Sequence, residues 1–363
     1  MRFPEFCGEW KEVKLSKVIK VQGGYAFKSE LFQQSGVPII RISNLPQNEL
    51  FVNLNDCVYY SEGNYHNFEV HKGDLLIAMS GATTGKTAIY NNNSIAYLNQ
   101  RVGCFKVKSD LFYSFLYALV ETKSFKNQLN KKLIAGAQPN ISSFDIESIK
   151  VTIPGLIEQQ KIAKLIGLLN ERIDTQNKII EKLETLIKGI IETVISSQKP
   201  NTLIKNCLEC NSSTLQESQV AENGNFPVYG ATGISGYTET ADINGESILI
   251  IKDGSGVGSV KFVTGEYSYI GTLNSLTVKD GYCLKYIYFA LQGFSFEPYK
   301  TGMAIPHIYF KDYGKAKIYC PPYKLQATIS QQLTCIESKI DVEKRILSDH
   351  AQQKSYLLSQ MFI

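Results

Sequence analysis

The sequence predicts an α+β protein in which two mixed or β-rich domains each run into a long helix. Three observations predict it. Part of the chain repeats at a fixed offset, both copies end in a heptad-patterned stretch, and the rest is short apolar runs broken by glycine turns. A length of 363 residues allows two or three domains with cores of their own. On these signals residues 1–154 form a first domain, 155–199 a first helix, 200–320 a second domain and 321–363 a second helix. The stretch 196–202 between the copies has linker composition.

The repeat is read from Ala137-Gln138-Pro139-Asn140-Ile141-Ser142, which answers to Ala304-Ile305-Pro306-His307-Ile308-Tyr309 at an offset of 167. The same offset carries Asp145 to Asp312, Lys150 to Lys317, Pro154 to Pro321, Gln159 to Gln326 and Ile162 to Ile329. So many identities on one offset mark a duplicated module.

The helices keep that register. In the first, Ile162, Ile166, Leu169, Ile173, Gln176, Ile180, Leu183 and Ile187 recur in alternating steps of four and three, continuing to Ile190 and Val194. That spacing is a heptad seam. Its copy runs through Ile329, Leu333, Ile336, Ile340, Glu343 and Leu347, then His350, Lys354, Leu357 and Met361. Gln176 and Glu343 fall at the same step, and a polar seam residue trades stability for register and partner choice. Each helix, at roughly 40 residues and 1.5 Å per residue, reaches about 60 Å.

A weaker repeat lies upstream. Leu76-Ile77-Ala78-Met79-Ser80-Gly81-Ala82-Thr83-Thr84-Gly85 aligns with Leu249-Ile250-Ile251-Lys252-Asp253-Gly254-Ser255-Gly256-Val257-Gly258 at an offset of 173. Both read as a buried strand entering a glycine turn and leaving as another strand.

Composition bounds the function. No run approaches the ~18 apolar residues of a membrane span, and no secretory signal opens the chain. Only Cys207 and Cys210 among eight cysteines form a CxxC, without a second ligand pair at zinc spacing, so reduced cytoplasmic thiols are expected and no metal. Residues 1–199 hold 24 basic against 19 acidic residues and residues 200–363 hold 14 against 15. The first half can bear a basic patch; the second must gather its positive charge locally to touch nucleic acid.

Catalytic motifs fail on their own chemistry. Gly81 to Lys86 has three residues between its glycines where a phosphate loop needs four, and the copy replaces Lys86 by Ser259. Cys320-Pro321-Pro322-Tyr323 lacks the acceptor oxygen that an amino-methyltransferase loop needs to hold its target amine. Gly254-Ser255-Gly256-Val257-Gly258 is followed by no helix pattern, and the four histidines show no triad or metal spacing. No catalysis and no cofactor are expected.

Several stretches together resemble the specificity subunits of type I restriction–modification systems. They are Arg2-Phe3-Pro4-Glu5-Phe6 with Gly8-Glu9-Trp10, Gly24-Tyr25-Ala26-Phe27-Lys28-Ser29, residues Gly36 to Leu45, Phe226-Pro227-Val228-Tyr229-Gly230 running to Tyr237, and Ile153-Pro154 with Glu158-Gln159-Gln160-Lys161-Ile162. The second domain resembles a different class of the same recognition module from the first. The resemblance implies two target-recognition domains, each reading half of a split double-stranded DNA site, and an antiparallel helix pair giving an elongated pseudo-two-fold spacer. It further implies two methyltransferase subunits docked on the helices, with motor-nuclease subunits joining them. A specificity subunit of another restriction class, a fused methyltransferase or nuclease, and a coiled-coil interaction scaffold are the alternatives.

Base reading uses Arg, Lys, Asn and Gln on rigid tips. Candidates in the first domain are Lys28, Arg41, Asn44, Thr84, Lys86, Asn99, Gln100, Arg101, Gln138 and Asn140. In the second they are Tyr229, Thr232, Ser235, Tyr237, Lys252, Ser255, Asn274, Lys300 and His307.

Overall fold

A computed structural model describes residues 2–46, 49–134, 140–302 and 305–362. The chain divides into two units, one of residues 1–178 with 344–363 and one of residues 179–343. Each unit therefore holds one sheet-rich domain, the start of one long helix and the end of the other.

The first unit contains two four-stranded sheets. One runs Ile19–Gly23, Val102–Val107, Leu75–Ala78, Thr87–Ile89, antiparallel throughout. The other runs Val58–Tyr60, Val37–Ile40, Ala96–Leu98, Glu69–Val70, with its central pair parallel. Strand for strand, the second unit repeats this. Leu208–Ser212, Leu273–Val278, Ser247–Ile251 and Val260–Val263 form the antiparallel sheet. Gly233–Thr238, Phe226–Gly230, Glu266–Tyr269 and Ile243–Asn244 form the sheet with the parallel central pair. A short two-stranded pairing, Lys11–Lys14 with Lys150–Ile153 and Thr202–Leu203 with Lys317–Ile318, ties each domain's first strand to its last. The duplication seen around residue 140 thus extends over the whole domain.

The apolar runs explain where the core sits. Leu75, Leu76, Ile77 and Ala78 are all buried, because strand side chains alternate and both faces are covered. Leu75 and Ile77 join a core with Phe105, Phe115 and the start of the first long helix. Leu76 and Ala78 join a separate core with Ile40, Leu98, Val102 and Cys104. Each fully buried Leu or Ile contributes about 1.5–3 kcal/mol.

The long helices are Leu156–Ile190 and Tyr323–Met361. Ile162, Ile166, Leu169, Gln176, Ile180 and Ile187 are buried, as are Ile329, Leu333, Ile340 and Glu343. Ile173, Leu183, Ile336 and Leu347 are half-buried, while Leu168, Leu186 and Val342, off the seam, are exposed. Within the first unit the direction is defined. Leu358 and Met361, from the end of the second helix, share a core with Ile162 and Ile166 at the start of the first, and His350 lines a groove with Gln176. The numbering rises on one helix as it falls on the other, so the pairing there is antiparallel.

Two seam assignments need correction. Ile191 and Ile195 are buried, whereas Val194 is 38% exposed. Residues Ile191–Ser196 form a π-helical turn, and its wider turn takes up an extra residue and moves the buried face by one position. Near the other helix end Leu358, not Leu357, is the buried residue.

Each helix start is latched the same way. The buried Gln159 amide accepts from Phe112 N at 2.7 Å and donates to Pro154 O at 2.9 Å and Asp110 O at 3.1 Å. Gln326 accepts from Cys283 N at 3.0 Å and donates to Pro321 O at 2.7 Å. The first unit adds a strap. Arg2 makes a two-pronged pair with the buried Glu158 (2.7 and 2.6 Å), and Trp10 donates to the same carboxylate at 3.3 Å. Leu325 stands at the Glu158 position of the second copy, 45% exposed.

Candidate nucleic-acid interface

The glycine turn is the landmark of each unit. In the first, Gly85 N donates to Ala78 O, Ala78 N to Lys86 O and Thr84 N to Gly81 O. In the second the same three bonds run from Gly258 N to Ile251 O, Ile251 N to Ser259 O and Val257 N to Gly254 O. Gly85 and Gly258 both have positive φ, and a Cβ on either would press on Leu129 or Phe296 at 2.9 Å. Glycine is therefore required at these corners.

Beside the turn, separate segments meet along one edge. In the first unit Met79 N donates to Arg101 O, Ile141 N to Met79 O, Asn99 N to Ile40 O and Gln100 N to Tyr25 O. Ser80 pairs with Asn140, the Arg101 guanidinium donates to Ser80 Oγ at 3.3 Å, and Thr83 Oγ1 donates to Ile42 O. Arg41, Asn99, Gln100, Arg101 and Asn140 are thereby gathered on one rim, with Gln100, Arg101, Asn140 and the nearby Lys28 exposed. Arg41 donates to Asp56 O at 2.9 Å, which fixes its guanidinium. Just beyond Asn140, Ser142 caps a short helix, and its hydrogen bond to Asp145 holds the Asp145 carboxyl below the usual range.

The second unit builds the same edge from other side chains. Lys252 N donates to Thr272 O and Ile308 N to Lys252 O, the counterparts of the Met79 bonds. Asp253 pairs with His307 where Ser80 pairs with Asn140, and His307 Nδ1 lies 2.6 Å from Asp253 Oδ1. His307 also exchanges both backbone bonds with Thr301, and Lys300 is held by Glu297. Ser255 is exposed at the turn and Thr232 at the hairpin tip beside Ser235. Tyr229 packs edge-on against Tyr267, with the Lys261 ammonium 4.6 Å from its ring centre. Tyr237 is half-buried and pairs through its backbone with Ala221.

Some expected contacts are not presented on this edge. Asn44 is 2% exposed, and its amide accepts from Arg41 N and donates to Asn53 O, so it braces the loop. Asn274 is buried in an inner strand, where its Oδ1 accepts from Ser212. Thr84 and Lys86 line a cleft with Leu129, Asn130, Asn170 and Ile173, on the helical side of the turn. Gln138 lies outside the described residues. Among the described residues no group of three or more His, Cys, Asp or Glu is placed to hold a metal ion.

A family model for the type I restriction modification DNA specificity domain matches residues 8–185 and 206–349. The chain belongs to this family. The two matched stretches fall one on each copy of the duplicated domain, so this specificity-domain chain carries the module twice. It is 29% identical over 203 residues to the type I restriction enzyme MjaVIII specificity subunit of Methanocaldococcus jannaschii, covering 53% of this chain and 47% of that protein. It is 26% identical over 200 residues to the EcoBI specificity subunit of Escherichia coli, covering 54% and 40%. The match thus spans less than half the length of those relatives. A solved structure, the S subunit of a type I restriction-modification system from M. genitalium, superposes with a TM-score of 0.70 at 17% identity, covering 100% of this chain and 99% of that one. At that identity the likeness is one of fold.

Within this specificity-domain fold the sequence left several positions unassigned. Ser80 and Asp253 are the edge partners of Asn140 and His307, yet Ser80 to Asp253 steps by 173 and Asn140 to His307 by 167. The mismatch of offsets hid the pairing. Arg101 and Thr272 occupy the same backbone position on a third offset, so their equivalence was not visible either.

Proposed function

We propose that the chain is the DNA-reading specificity subunit of a type I restriction–modification complex, acting in the cytoplasm and catalysing nothing itself. Residues 1–154 and 200–320 each read one half of a split double-stranded site. The long helices set the spacing and dock two methyltransferase subunits, with motor-nuclease subunits joining that assembly. One observation carries the reading: a single backbone scaffold occurs twice and offers different side chains at the same edge. Arg101, Gln100, Ser80 and Asn140 in one unit stand where Thr272, Gly271, Asp253 and His307 stand in the other. Identical edges would read identical half-sites; these read unlike ones, so the target is asymmetric.

Phosphate neutralisation releases counterions, so binding to DNA by these edges falls steeply as salt rises. Retention of the complex on duplex DNA across a salt series tests this directly. Salt-independent retention, or none at low salt, favours the interaction scaffold instead. Arg101 supplies a fixed guanidinium able to reach a guanine edge, a contact worth about 1–3 kcal/mol. Arg101→Ala is expected to reduce discrimination at one position of one half-site by roughly 5- to 150-fold, measured by competition between cognate and single-mismatch duplexes. Equal loss at both half-sites would contradict the assignment.

A further inference from the structure

We infer that Tyr25 reads the methyl group of a thymine in the half-site recognised by the first unit, an inference that rests on the DNA-reading function above. Tyr25 is 41% exposed. It caps an aromatic stack, with ring centres of Phe27, Phe68 and Tyr65 at 5.0, 5.2 and 5.4 Å, and Phe27 lies stacked on the fully buried Tyr97. The backbone is pinned on both sides, since Tyr25 N donates to Leu98 O at 2.8 Å and Gln100 N to Tyr25 O at 2.9 Å. Gly24 before it passes so close to the neighbouring strand that a Cβ would sit 2.1 Å from Asn99 O. The ring is therefore braced on its aromatic neighbours and its backbone held against that of Gln100, with little freedom left to lose on binding.

A braced apolar ring among hydrogen-bonding tips suits an apolar target in an otherwise polar groove. In the major groove the thymine C5 methyl is that target. The matching position of the second unit carries no aromatic ring. Leu215 takes the place of Tyr25, as Gly271 N donates to Leu215 O, and it is half-buried. The contact is thus confined to one half-site.

The test uses the chain assembled with its methyltransferase, once the methylated motif defines the half-sites. Each thymine of both half-sites is replaced in turn by uracil, which removes the methyl alone, and methylation rate at subsaturating DNA is measured. One uracil in the first unit's half-site is expected to slow the wild type about fourfold, the worth of one buried methyl. Tyr25→Ala should lose a similar factor on thymine and show no further loss on uracil. Tyr25→Phe should keep the sensitivity, which separates ring contact from a folding defect. The inference is overturned if the wild type ignores every uracil in that half, if that half contains no thymine, or if Tyr25→Ala remains fully uracil-sensitive. Specific methylation with any of these results removes the role of Tyr25 alone; absence of any specific methylation removes the DNA-reading function with it.

Discussion

Gln159→Ala is expected to destabilise the first unit by about 2–4 kcal/mol, and Gln326→Ala to do the same to the second. Both amides are buried and both bridge a helix start to a neighbouring loop. Removing the side chain strands a buried proline carbonyl and a part-buried backbone N–H, and each unsatisfied buried group costs about 1–3 kcal/mol. Gln159 has the additional bond to Asp110 O, so its loss should be the greater. Hydrogen exchange under mild denaturant, resolved by peptide, measures the effect unit by unit. Loss of protection shared equally by both units after either substitution would contradict the idea of two separately latched modules.

If the proposed function holds, exchanging residues 1–154 for the corresponding domain of a type I specificity subunit should replace one half of the methylated motif and leave the other half and the gap unchanged. The units have the same topology, and each closes its own sheets through its own short terminal pairing. The candidate edges are built from bonds internal to each unit. The exchange must carry the Arg2 and Trp10 strap along with a compatible Glu158, because that carboxylate is buried against them. Motif determination by sequencing the modified DNA checks the result; an altered second half would sink the modular account.

The helices were legible because a heptad period is a property of residue spacing alone, and Ile162 through Ile187 kept it. The step to Ile191 and Ile195 was not, since a π-helical turn is a change in backbone bonding that leaves no mark on hydrophobic order. The duplication was legible near Asn140 and His307 from identities and at the glycine turn from a weaker match, but its full extent lies in hydrogen bonds shared by dissimilar residues such as Arg101 and Thr272. For the edge itself, residue type suggested Asn44 and Asn274 as readily as Asn99. Only burial tells a bracing amide from a presented one, and composition carries no information on it. Gln159 and Gln326 stood out as repeated, while what they hold became visible only with the Phe112 and Cys283 amides in place.

The central claim, that one chain reads two unlike half-sites for a methyltransferase, is tested most directly by sequencing adenine methylation in cells with this chain and its methyltransferase against cells lacking the chain. The account predicts one new motif of two unlike halves separated by a fixed unread gap. A contiguous or palindromic motif, or no motif from a complex that assembles, would contradict it.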